Sequence, residues 1–150
     1  HLKGTVPEED DDYEIPFGVA NIAREGKDIT VVSLGLMLRK TLEVAEQLAK
    51  DGISVEVIDP RTIAPLDMDT ILASLKKTGR ILVVDETFAP CGIGAEIIAQ
   101  VNERGFDDLD APPARLHGAH TPTPYSPSLE AAVVPTPQTI AQAIRDVLAE

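Results

Sequence analysis

The chain has a single cysteine, Cys91, among its 150 residues. An internal disulfide is therefore excluded, as is any cysteine-rich metal site. Aromatic residues make up only 3% of the chain and tryptophan is absent. With hydrophobic residues at 43%, the core must be aliphatic, built from Val, Ile, Leu and Ala. Basic residues are scarce: 13 Lys and Arg stand against 25 Asp and Glu, giving a formal net charge of -12. That balance opposes non-specific binding to nucleic acid or to an anionic membrane surface. It is the composition expected of a soluble cytoplasmic protein. No apolar run approaches the roughly 18 residues that a membrane span requires. No basic-then-apolar start marks a signal peptide. The chain opens at His1 without a methionine, as a fragment or a processed product would. There is no internal repeat.

What is present is a rhythm of strands and helices. Three short, β-branched, apolar segments stand out: Ile29 to Leu34, Ile53 to Ile58 and Arg80 to Asp85. Each is followed by a helical pattern, so they read as βαβ units of a parallel sheet. The spacing predicts a helix of about 14 residues after Gly35, with Leu38, Leu42, Ala45 and Ala49 on its apolar face and Gly52 at its end. A loop spans Pro60 to Pro65. Asp67 is expected to cap the next helix, with Leu66 and Ile71 as a hydrophobic staple and Thr78-Gly79 as its stop. A third helix starts near Ile93 and buries Ile97, Ile98 and Val101. Ala114 to His117 reads as a further parallel strand, and Thr121 to Pro127 as an irregular proline-rich stretch. Thr136-Pro137 starts a last amphipathic helix carrying Ile140, Ala143, Ile144, Val147 and Leu148.

Ala20 to Arg24 is expected to be an edge strand, turned by Glu25-Gly26-Lys27-Asp28 into antiparallel pairing with the first core strand. Residues 1–18 read as an interdomain linker and 19–150 as one α/β domain. The acidic run Val6 to Asp12 lacks the spaced ligands and glycine turn of a calcium loop, so it reads as a solvated stretch. The expected fold is three-layer and doubly wound, with a mostly parallel sheet of about five strands and one antiparallel edge strand.

Ligands and partners of such sheets gather at the carboxyl ends of the strands. Those ends carry Gly35, Asp59-Pro60-Arg61 and Asp85-Glu86. Asp59 and Arg61 read as an ion pair bracing their loop, with presentation of Arg61 to a partner subunit as the alternative. Asp85 and Glu86 end the third strand and lead into a loop. Neighbours on an extended segment point to opposite sides, which favours interface or loop anchoring over a shared proton or metal. Gly92-Ile93-Gly94 sits at a helix start, where bare N–H groups can meet a phosphate. The dinucleotide fingerprint needs a third glycine where this chain has Ile97, so tight packing is the expected role. Cys91 reads as a small buried residue. His117 and His120 lack a third ligand at metal spacing. His120, in a polar loop, is a candidate pH sensor or donor to a partner. No serine nucleophile elbow is present, and no catalytic set assembles.

The ordered residues carry a resemblance. Arg24-Glu25-Gly26-Lys27-Asp28-Ile29-Thr30-Val31 is followed by Gly52 to Asp59 and then Pro60-Arg61-Thr62-Ile63-Ala64-Pro65-Leu66-Asp67. Val83-Val84-Asp85-Glu86 and Cys91-Gly92-Ile93-Gly94-Ala95-Glu96 complete the set. This resembles the carboxyl-terminal domain of the β subunit of thiamine-diphosphate-dependent 2-oxo acid dehydrogenases, the pyruvate, branched-chain and acetoin enzymes. The segment Asp59 to Asp67 is its most specific part. The resemblance implies a doubly wound domain that follows a pyrimidine-binding domain. The implied reaction is oxidative decarboxylation of a 2-oxo acid, or cleavage of acetoin, with acyl transfer to lipoyl.

It also implies that thiamine diphosphate and Mg lie between an α chain and the β chain's amino-terminal domain. These residues would then hold no cofactor and catalyse nothing alone. Their implied role is assembly into an α2β2 heterotetramer with an α subunit and a second β subunit. Docking on the subunit-binding domain of a lipoyl acyltransferase core is implied as well. Asp59, Arg61, Asp85, Glu86, Gly92, Gly94, Glu96 and His120 are the expected interface or loop-anchoring residues. The chain departs from the pattern at Gly118-Ala119-His120-Thr121, where many relatives have Gly-Pro-Asp-Thr. Pro124-Tyr125-Ser126-Pro127 looks most like acetoin-type or unspecialised bacterial members. The alternatives are a homodimeric transketolase-type transferase, a nucleotide-binding module using Gly92 and Gly94, and a purely structural oligomerisation domain.

Overall fold

The computed structural model describes residues 14–150. The acidic run, and the linker as far as residue 13, lie outside the described residues. Among the described residues five strands and five α-helices follow in the order β1 (Asn21–Arg24), β2 (Ile29–Ser33), α1 (Leu36–Ala49), β3 (Val55–Asp59), α2 (Met68–Thr78), β4 (Ile81–Phe88), α3 (Ile93–Arg104), β5 (Ala114–Gly118), α4 (Pro127–Val133) and α5 (Pro137–Ala149). The sheet order is β1-β3-β2-β4-β5, with every pair parallel except β1 with β3. The expected three-layer, doubly wound architecture is present. α1 and α5 cover one face and α2 and α3 the other.

The packing explains the order. β2 is buried at all five positions, because it lies at the centre of the sheet and under helices on both sides. Ile29, Val31, Val55, Val57, Leu82 and Val84 meet Met37, Val44, Leu48, Ile140 and Ile144. Val32, Ile58, Ile81 and Val83 meet Ile71, Leu75, Ile97 and Val101 on the opposite face. Burying each such aliphatic side chain is worth roughly 1.5–3 kcal/mol. α2 carries the predicted cap: the Asp67 carboxylate accepts from Thr70 N at 3.1 Å. α5 starts as expected at Thr136, whose hydroxyl and that of Thr139 bond each other's backbone amides.

Four expectations are corrected. β1 pairs with β3, not β2. β2 is held on both sides by parallel neighbours, so it offers β1 no free edge. The connection from β1 instead crosses the start of β3, where a Cβ at Gly26 would stand 2.1 Å from Glu56 N. The buried face of α1 is Met37, Thr41, Val44, Ala45 and Leu48; Leu38 and Leu42 flank it, and Ala49 is exposed. β4 continues through Asp85 and Glu86 to Phe88, so these acids belong to the strand rather than to a loop. Finally, the proline-rich stretch ends in the short helix α4, which has Ser126 before it and Pro127 in its first turn.

Candidate functional site

The carboxyl ends of the parallel strands form one edge of the domain. The chain leaves β2 toward β3 and leaves β4 toward β5, in opposite directions across the sheet. The ends of β2 and β4 are therefore the topological switch point, where open α/β sheets place their ligands or partners. Gly35 and Leu36 follow β2 at that point. The Glu86 carboxylate of β4 reaches across to it, with Oε1 3.5 Å from where a Gly35 Cβ would lie.

The predicted residues fall into three groups here. Asp85 is buried, and Thr87 saturates it by donating from its amide at 3.1 Å and its hydroxyl at 2.5 Å. Glu86, the next residue, is exposed. The two acids point apart as the strand geometry requires. Asp59 accepts from the Arg61 amide at 3.0 Å. The brace expected between Asp59 and Arg61 therefore uses the backbone, and no ion pair joins their side chains. The Arg61 side chain is exposed, on a residue held at φ 58. His120 is exposed and packs its ring 5.5 Å from that of Phe88.

Gly92 and Gly94 serve packing. A Cβ on Gly92 would sit 2.9 Å from Phe88 O, and one on Gly94 would sit 3.4 Å from Val83 Cγ1. Glu96 lies outside this group, on the outer face of α3, where it accepts from Gln100. Cys91 is corrected from buried to exposed: it has φ 59 in the turn before α3, which lifts its side chain off the sheet.

Between these residues run three grooves. One, of about 320 Å³, lies between the tip of β4, the loop after β5 and α4, with Glu86, Phe88, Thr121, Glu130 and Val133 in its walls. A second, of about 390 Å³, shares Glu86, Glu130 and Val134 and adds Leu36 and Lys40. A third, of about 160 Å³, is lined by Gly35, Asp59, Arg61 and Ile63. Leu36, Ile63, Phe88, Tyr125 and Leu129 are large apolar side chains exposed along this edge. Sequence reasoning missed this set and Glu130, although α4 spaces Leu129 and Val133 four residues apart, as one helix face requires. Among the described residues, Arg61, Glu86 and Glu130 form no ion pair. No group of three or more His, Cys, Asp or Glu converges to hold a metal ion among the described residues. No reaction step is assigned to the described residues.

The opposite end of the sheet holds a polar cluster that sequence reasoning also missed. The Glu56 side chain is 0% exposed. It accepts from Ser74 Oγ at 2.5 Å, from the Gly26 amide at 3.1 Å and from the Lys77 ammonium. Thr30 Oγ1 lies 2.6 Å from Ser74 Oγ and 2.8 Å from Thr78 Oγ1, which extends the chain of hydroxyls. Burial pushes the Glu56 carboxyl upward, but the bonds from Lys77, Ser74 and Gly26 outweigh it and hold the group below its ordinary value. The bond to Glu56 raises Lys77 against partial desolvation, with Glu25 adding a second carboxylate. At the other edge, burial likewise opposes the ionised form of Asp67. Bonds from Ala20 N and from both donors of Thr70 prevail and lower its pKa.

The fold at this point can be set beside known proteins. The family model of the transketolase C-terminal domain matches residues 18–140. The chain belongs to the transketolase C-terminal domain family. Over its whole length it is 46% identical to the acetoin:2,6-dichlorophenolindophenol oxidoreductase subunit beta of Bacillus subtilis, covering 43% of that protein. It is 48% identical over 93% of its length to the mitochondrial pyruvate dehydrogenase E1 component subunit beta of Dictyostelium discoideum, covering 39% of that chain. The transketolase C-terminal domain thus spans about two fifths of these relatives. A solved structure described as a split gene transketolase, inactive beta4 tetramer, shares the fold at TM-score 0.78 and 24% identity, over 92% of this chain and 44% of that one. In this transketolase C-terminal domain no helix among the described residues is long and apolar enough to cross a membrane.

Proposed function

We propose that this domain is the assembly module of the β subunit of a thiamine-diphosphate-dependent dehydrogenase acting on a 2-oxo acid or on acetoin. The observation that carries the reading is its 42–48% identity to acetoin and pyruvate dehydrogenase β subunits from several organisms. In this reading residues 1–18 link it to a preceding domain, and residues 19–150 fold as one unit. Thiamine diphosphate and Mg are held elsewhere in the parent enzyme, between that preceding domain and the α subunit. The carboxyl edge, with Arg61, Glu86 and His120 exposed and Asp59, Asp85, Gly92 and Gly94 fixing its loops, supplies contacts within an α2β2 assembly. The acidic surface, at a net charge of -12, suits docking to a basic subunit-binding domain of a lipoyl acyltransferase core. A cytoplasmic location fits the same composition.

The test is activity of the full-length parent chain. Coexpressed with its α partner, it is expected to release CO2 from a 2-oxo acid, or to cleave acetoin, only when thiamine diphosphate and Mg are present. A copurified α chain with no such activity on pyruvate, branched-chain 2-oxo acids or acetoin would overturn the reading.

A further inference from the structure

We propose that Ile15, Phe17, Val19 and Ile22 are the seat of the domain that precedes this one in the parent chain, an intrachain contact at the outer edge of β1. The proposal rests on the reading that residues 1–18 join this domain to a preceding one, and it names the surface on which the two meet.

The argument begins with how the entry segment is held. β1 pairs with β3 alone, so it is an outer strand of the sheet. Just before it, the Gly18 amide donates to Thr62 Oγ1 at 2.9 Å and the Ala20 amide donates to the Asp67 carboxylate at 2.9 Å. A Cβ at Gly18, which has φ 72, would stand 2.8 Å from Pro65 Cγ, and Ala20 packs against the core under α2 and α3. Backbone bonds and small residues therefore face the domain. The large side chains around them stay out: Phe17 is 83% exposed, Ile15 50%, Val19 45% and Ile22 40%. Apolar groups gathered on a segment that is itself fixed in place mark a contact surface.

The occupant follows from place and size. The chain matches a carboxyl-terminal domain family and spans about two fifths of its relatives, which leaves the length of a further domain before it. The patch stands where the link enters this domain. Residues 1–13, fully extended, reach at most about 45 Å, so the preceding domain is held within range of it. A short tether of this kind gives an effective concentration of about millimolar, at which a weak contact stays closed. The patch is also small. Four partly covered side chains fall short of the roughly 800 Å² per partner that an untethered interface buries. A second copy or an α chain needs a wider surface than this edge offers, and a tethered domain does not.

Photo-crosslinking tests it in the full-length parent chain assembled with its α partner. The probe, p-benzoylphenylalanine, replaces Phe17 in one sample and Ile15 in a second. It keeps an aromatic group on an exposed site, so it reports the contact without removing it. Each sample is assembled from equal parts of isotope-labelled and unlabelled parent chain, irradiated, and read by peptide mass spectrometry. The expected product joins the probe to a residue on the amino-terminal side of this domain, with both peptides from one isotope pool. The same probe in place of Glu43, on the outer face of α1, is expected to give no such product. Peptide pairs of mixed isotope, products on the α chain, no product from either position, or an equal product from the Glu43 site would overturn the proposal. Thiamine-diphosphate-dependent activity is measured on the same assemblies. Activity alongside an overturning result would leave the dehydrogenase reading standing and remove only this contact. An intrachain product in an inactive assembly would keep the contact and remove that reading.

Discussion

The two ends of the sheet handle polar groups in opposite ways. At the amino end, Glu56, Ser74, Thr30, Thr78, Lys77 and the Gly26 amide satisfy one another within the domain. At the carboxyl end, Arg61, Glu86 and Glu130 make no ion pair among the described residues and stand among exposed Leu36, Ile63, Phe88 and Leu129. A buried carboxylate is tolerable only when its partners are supplied in place. Unpaired charges beside exposed apolar groups cost little in a lone domain and gain value when another surface covers them. The amino end therefore serves stability, and in the proposed function the carboxyl end serves association.

The comparison breaks most visibly at Glu56. Replacing it with Ala strands the Gly26 amide, leaves Ser74 Oγ with Thr30 alone and opens a void between β3 and α2. Lys77, 42% exposed, can return to water, which limits the loss. The expected cost is about 3 kcal/mol, read as a lower urea midpoint with an unchanged slope.

Glu56→Gln sharpens the same point through pH. The native Glu56 pKa lies below its ordinary 4.5, so its contribution is present above about that pH and is lost as acid carries the pH down through the native value. The native Lys77 pKa lies above 10.5, so its contribution holds below that pH and is lost as alkali carries the pH up through the native value. The variant should flatten both limbs of a stability–pH curve. Some acid slope should remain from Asp67, which is lowered from 3.8. An acid limb unchanged in Glu56→Gln would contradict the direction assigned to Glu56.

Asp67 is the well-anchored carboxylate of the carboxyl edge. Asp67→Ala removes the α2 cap and the bond to Ala20 N at 2.9 Å, and should cost about 1–2 kcal/mol. Arg61→Ala and Leu129→Ala should be the mildest. Each is expected to change domain stability by no more than about 0.5 kcal/mol in chemical denaturation, because neither side chain packs within the domain.

Much of this fold was legible. The unbroken apolar run of β2, the Asp67 cap and the Thr136-Pro137 start all announce local structure by residue type. The pairing of β1 was hidden, because it depends on β2 being enclosed by strands that arrive later in the chain. Glu56 was hidden for a related reason. Val55-Glu56-Val57 reads as ordinary alternation, and only α2, 18 to 22 residues on, brings Ser74, Lys77 and Thr78 over it. The proline-rich approach masked α4, and with it Leu129 and Glu130. Cys91 read as buried because no His or second Cys lies near it in sequence to give it a reactive role, whereas its positive φ turns it outward. Asp59, Arg61, Asp85 and Glu86 were found from their place at strand ends. Whether each is spent locally or left free required the geometry.

The most direct measurement is hydrogen exchange by mass spectrometry on the full-length parent chain, as dissociated single copies and in its assembled complex. Assembly is expected to slow exchange at residues 34–36, 60–63, 86–89 and 119–131, and to leave residues 54–57 and 74–79 unchanged. Protection that appears at the Glu56 end while the carboxyl edge exchanges freely would contradict the division of roles.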